Sequence, residues 1–165
     1  MGRTIRAPQP DEMAPLGDLV VAAYDAIGAN DEDDDYVPVL RDVASRAREA
    51  VVLAAVDDES GALLGCVTYV PDGSSPWAEN LRAGEASIRM HAVNPAAQGR
   101  GVGTALVAAC LERARAEGRG GVFLHSLPIM TAAQRIYERF GFRHVPERDW
   151  AFPDFLLLGF ELRFE

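Results

Sequence analysis

The chain has 165 residues, 48% hydrophobic and 25% charged, so residues 1–165 read as one soluble domain with a sizeable core. A formal net charge of −9 argues against nucleic acid as a partner. All 16 basic residues are arginine, which excludes a lysine Schiff base and a Walker-type phosphate lysine.

No apolar run reaches the roughly 18 residues of a membrane span. Met1 to Pro10 lacks a secretory layout, so a cytoplasmic location with no membrane partner is expected. Cys66 and Cys110 sit in apolar settings and read as buried thiols, and no Cys/His cluster has metal spacing, so no metal site is expected.

In chain order, Thr4 to Ala7 reads as a short strand. Asp11 to Ile27 reads as a helix, with Met13, Leu16, Val20, Ala23 and Ile27 at helical spacing and Gly28 closing it. The acidic run Asp31 to Asp35 follows, then a second helix over Val37 to Ala50. Val51 to Val56 and Ala62 to Val70 read as a strand hairpin around the turn Asp57 to Gly61. Pro71 to Gly84 is a loop, Glu85 to Val93 a strand, and Asn94-Pro95 its stop. The clearest helix runs from Gly101 to about Glu117, carrying Val102, Leu106, Ala109 and Cys110 on one stripe. After the break at Gly118 to Gly121 come a strand over Val122 to Ser126 and a helix over Thr131 to Phe140. A last strand lies within Phe155 to Phe164. This order predicts a mixed α/β sheet with helices on both faces.

The segment Gly99-Arg100-Gly101-Val102-Gly103 joins a strand to a helix start. Glycines on alternate positions let backbone N–H groups converge, and the helix start adds free donors and a positive dipole end. A phosphate or diphosphate suits such a turn. A dinucleotide fingerprint fails on spacing, because its last glycine would fall on Thr104 or Leu106. Spacing alone also permits a glycine-rich helix entry that serves only packing.

Gln98-Gly99-Arg100-Gly101-Val102-Gly103 resembles the Q/R-x-x-G-x-G/A signature of the GNAT family of N-acetyltransferases. Ala133-Gln134-Arg135-Ile136-Tyr137-Glu138-Arg139-Phe140-Gly141-Phe142 is similar to the family's A-x-x-x-Y-x-x-x-G-F helix. The resemblance is strongest over residues 85–142. It implies a mixed, mostly antiparallel sheet with helices on both faces and a splayed central strand pair. It also implies that the backbone of Ala92 and Val93 holds a pantetheine arm, while Gln98, Gly99, Arg100, Gly101, Val102, Gly103 and Thr104 form the diphosphate grip. A backbone N–H near His91 to Val93 would polarise the thioester carbonyl.

By periodicity alone Tyr137 belongs to the apolar stripe of its helix; the resemblance assigns it instead to proton donation to the leaving thiolate. Where the family often has asparagine, seven residues earlier, this chain has Met130. Glu85 and His91 are the candidates for a general base. Strict alternation puts Glu85, Ser87, Arg89 and His91 on one strand face, and structural roles for both candidates stay open. His125 and His144 read as structural.

The implied activity is transfer of an acetyl group from acetyl-CoA to a primary amine by direct attack. Asp31 to Asp35 fits either a wall that attracts a cationic amine or a solvated loop. Trp77, Trp150, Phe152 and Phe155 fit an acceptor pocket, a dimer contact or ordinary core. The resemblance also implies a homodimer. Two alternatives remain: a catalytically silent acyl-CoA sensor, and an acetyltransferase for protein N-termini or lysines.

Overall fold

The computed structural model describes residues 2–30 and 35–165. The described residues form eight strands: β1 (Arg3–Arg6), β2 (Val51–Asp57), β3 (Leu63–Val70), β4 (Glu85–Val93), β5 (Gly121–Ser126), β6 (Arg143–His144), β7 (Trp150–Ala151) and β8 (Leu156–Arg163). They form a sheet in the order β1-β2-β3-β4-β5-β8-β6, with β7 paired to β8. Every pairing is antiparallel except β4 with β5. Helices α1 (Met13–Ala26), α2 (Val37–Arg41) and α3 (Val43–Glu49) cover one face, and α4 (Val102–Ala116) and α5 (Thr131–Arg139) the other.

The chemistry of β2 explains why two layers of helix are needed. Val52, Ala54 and Val56 turn to the α1 face, where they meet Leu16, Val20, Leu40 and Val43. Leu53 and Ala55 turn to the α4 face and join Leu106, Val107 and Leu111. A strand apolar on both sides must be covered on both sides, and each buried leucine contributes about 2 kcal/mol toward that arrangement.

One predicted helix is two. The stretch Val37 to Ala50 breaks at Asp42 (φ −84°, ψ 69°), whose side chain accepts from the Ser45 N–H and so caps α3. The wholly buried Arg46 guanidinium donates to the carbonyls of Val39 and Leu40, which ends α2, and to Thr68 Oγ1 of β3. An N-cap side chain and a buried cation thus outweigh a continuous helical pattern. No described helix is long and apolar enough to cross a membrane.

Candidate active site

The site begins where the sheet opens. β4 and β5 pair only from Glu85 to Ser87 and from Gly121 to Phe123; beyond those residues the facing edges have no strand partner among the described residues. Arg148 closes the fork. Its side chain is 2% exposed, donates to both oxygens of Glu85 at 2.8 Å and to Glu161 at 3.2 Å, and lies 3.5 Å over the Phe123 ring. It also donates to the Asn80 carbonyl, fixing the loop before β4. Glu85 further accepts the Arg82 N–H and has Arg163 at 3.6 Å. These partners pull its carboxyl below the usual carboxylate range against the opposing effect of burial. With its oxygens so occupied, roughly 20 Å along the strand from His91, Glu85 is a structural anion and its geometry does not suit a general base.

Strict alternation fails in β4. Cys66 pairs with Ala92 and Thr68 with Arg89, so Val67 faces both Met90 and His91 in a bulge, and Met90 takes a positive φ of 50°. The bulge reverses the faces. Ala86 and Ile88 point to the α4 side, whereas Met90 and Ala92 point to the α1 side. His91 therefore leaves the face of Glu85, Ser87 and Arg89 and meets α4 and α5.

There His91 joins two elements. Nε2 lies 2.9 Å from the Gly103 carbonyl and Nδ1 3.0 Å from the Tyr137 hydroxyl. A carbonyl only accepts, so Nε2 carries the proton, Nδ1 is the acceptor, and the Tyr137 O–H donates to it. Burial brings the imidazole down to about 4. A neutral ring with its free lone pair already engaged is a poor base for an amine. Burial raises the Tyr137 phenol well above its ordinary range, so it stays protonated. The two sequence candidates are thus brought together as a hydrogen-bonded pair, and Glu85 is not part of it.

The turn after β4 is held open from behind. Asn94 accepts from the Ala96 N–H and donates to the Leu63 carbonyl, and Gln98 reaches back to the Val93 carbonyl. Gly99 and Gly101 have φ of 79° and 76°, and a Cβ at Gly99 would meet nothing within 4 Å. None of the hydrogen bonds found among the described residues is donated by the amides of residues 99–104. Gly103 is glycine for another reason: a Cβ there would lie 3.0 Å from Ile136 and 3.3 Å from His91 Nε2. The third glycine makes room for His91. Pattern reading missed Arg3, whose Nη2 donates to the Arg100 carbonyl at 2.6 Å, and Asp57, 3.3 Å from the Arg100 guanidinium. No local signal marks contacts so distant in sequence.

On the opposite face, Arg89 binds Glu79 (3.1 Å), the Tyr36 hydroxyl (2.7 Å) and the Trp77 carbonyl (3.1 Å). His125 of β5 packs on Trp150, with ring centroids 4.5 Å apart, and burial lowers its affinity for a proton. Phe152 and Phe155 stack on each other and are 43% and 49% exposed. In the acidic run, Asp31 to Asp34 lie outside the described residues. Met130 precedes α5 without a capping side-chain bond. Cys66 and Cys110 are fully buried in separate cores, and burial pushes both thiols up to about 12.

The forked sheet, the bulged strand and the glycine turn with open amides lie within, or close to, the stretch that matches a known family. The model of the acetyltransferase (GNAT) family matches residues 16–142, and the chain belongs to that family. It therefore carries the fold and signature of acetyl-CoA-dependent N-acetyltransferases. A mycothiol acetyltransferase from Nocardia farcinica is 30% identical over 161 residues, covering 86% of this chain and 51% of its own length. The chain thus spans about half of that curated relative. Among solved structures, a GNAT acetyltransferase from Staphylococcus aureus Mu50 superposes with a TM-score of 0.77 at 14% identity, covering 99% of this chain and 100% of the other. A GNAT acetyltransferase from Brucella melitensis in complex with acetyl-CoA gives 0.65 at 24% identity, covering 99% and 89%.

Proposed function

We propose that the protein transfers an acetyl group from acetyl-CoA to the primary amine of a small molecule, by direct attack. The observation that carries this reading is one continuous path. Open amides at residues 99–104 lead to an unpaired β4 edge at Ala92 and Val93, and that edge leads to the protonated phenol of Tyr137. The open amides suit a diphosphate, and a strand edge without a partner strand suits the amide-bearing pantetheine arm. The thioester supplies an activated acyl carbon when bound.

In the reaction a C–N bond forms, the C–S bond breaks, and the sulfur takes a proton. Tyr137 is the donor in this reading. Its hydroxyl turns from His91 Nδ1 to the departing thiolate, replacing a neutral hydrogen bond with a charge-assisted one. The proton that the amine nitrogen loses on becoming an amide restores the phenol through solvent, so protons balance. His91 supports this as the partner that fixes the phenol oxygen, and not as the base. Two buried thiols pushed up to about 12 offer no acyl-enzyme route. A small acceptor is also what the name of the Nocardia relative describes for that protein.

The test is a panel of small amines with acetyl-CoA, read by release of free thiol. Amine-dependent release is expected. Tight binding of acetyl-CoA without release for any amine would replace this reading with that of a sensor.

A further inference from the structure

We infer that Arg3, the first residue of β1, is a positioning residue for the diphosphate site, setting the direction of one of its binding amides. The inference rests on the diphosphate reading above. Arg3 Nη2 donates to the Arg100 carbonyl at 2.6 Å. The guanidinium lies alongside the turn, with its two terminal nitrogens 3.7 and 3.9 Å from where a Gly101 Cβ would stand. Every peptide bond here is trans. In a trans peptide the C=O and the following N–H point in opposite directions. Holding the Arg100 carbonyl back toward β1 therefore aims the Gly101 N–H away from β1, on the side from which an anion can reach it.

The need for such a hold follows from the glycines. Gly99 and Gly101 allow the peptide between them to adopt this turn, and for the same reason allow it to rotate away. Gly101 begins α4 without any side-chain cap, so nothing in the helix itself locks that peptide. Asp57, the strand partner of Arg3, holds the Arg100 side chain at 3.3 Å. The ends of β1 and β2 thus hold the turn by its carbonyl and by its guanidinium. A preorganised donor loses less entropy when the ligand arrives. Arg3 and Arg100, set against the one carboxylate of Asp57, keep the turn positive in a chain whose formal charge of −9 otherwise repels a polyanion.

The experiment compares CoA with pantetheine, which lacks the diphosphate, by calorimetry on wild type, Arg3→Met and Arg3→Gln. Arg3→Met should weaken CoA about tenfold and leave pantetheine unchanged, the size expected for losing one charged donor. Arg3→Gln keeps an N–H donor without the charge, and at high salt should lose only about two- to threefold. Wild-type affinity for CoA in Arg3→Met overturns the role. So does an equal loss on pantetheine, or a glutamine variant as weak as the methionine one. Wild-type protein that fails to bind CoA removes the diphosphate reading and this role together, so the two failures are distinguishable.

Discussion

From Glu85 to Ser87, β4 pairs with β5 and its buried carboxylate is clamped by Arg148; from Met90 to Val93 it keeps β3, loses β5 and carries a bulge. The first end commits its carboxylate to the fold. The second has no partner strand on its β5 side and turns His91 toward the helices. Two carboxylate-or-imidazole candidates on one strand therefore have opposite fates. What separates them is which neighbours satisfy them: Glu85 is held by Arg148, whereas His91 is held by the Tyr137 hydroxyl and the Gly103 carbonyl beside the glycine turn.

The largest effect should come from the clamped end. Arg148→Met removes the buried cation shared by Glu85 and Glu161 and leaves them only the longer contacts to Arg163 and Arg143 and the Arg82 N–H, which should cost about 3 kcal/mol, lowering Tm by roughly 10 °C. A thermal or urea melt within 1 kcal/mol of wild type, on the scale where exposed ion pairs fall, would erase the contrast between the two ends.

At the open end, Tyr137→Phe should reduce kcat about 100-fold with the KM for acetyl-CoA nearly unchanged. Normal turnover in that variant would return Tyr137 to the apolar stripe that its periodicity suggests. Steady-state kinetics with any acceptor found by the amine panel decides the matter.

A smaller effect sharpens the account of His91. Its folded value of about 4 lies below the ordinary 6.5, so the unfolded chain takes up the proton first as pH falls. Stability from the neutral ring is present above pH 6.5 and is lost between about 6.5 and 4. The slope is on the order of 1 kcal/mol per pH unit. His91→Gln should flatten part of that slope; His125, also shifted down, retains its own share. An unchanged pH profile of unfolding would mean that His91 is solvated and not tied to Tyr137 and Gly103.

The smallest effect concerns the acidic run. Replacing Asp31 to Asp35 by asparagine should raise KM for cationic amines a few-fold at low salt and hardly at all at high salt. An unaltered salt dependence would leave the run as a solvated loop.

Much of the scaffold was legible because its causes are local. Strand β4 and the two helices flanking β5 follow from apolar spacing, from the Asn94-Pro95 stop and from glycines at helix ends. The two-residue strands β6 and β7 carry too few side chains for any periodicity, and they form only because β8 offers an edge. The break inside Val37 to Ala50 was invisible because Arg46 finds its acceptors by folding.

The sequence by itself determined the family, the glycine turn and the helix that carries Tyr137, since each is written in consecutive residues with their own backbone preferences. Only the tertiary structure decided which titratable groups remain available. The bulge at Met90, the clamp on Glu85 and the bond from Arg3 to Arg100 join residues far apart in the chain. Hydrogen bonds and burial set the protonation of a side chain, and both depend on neighbours that only the folded chain supplies.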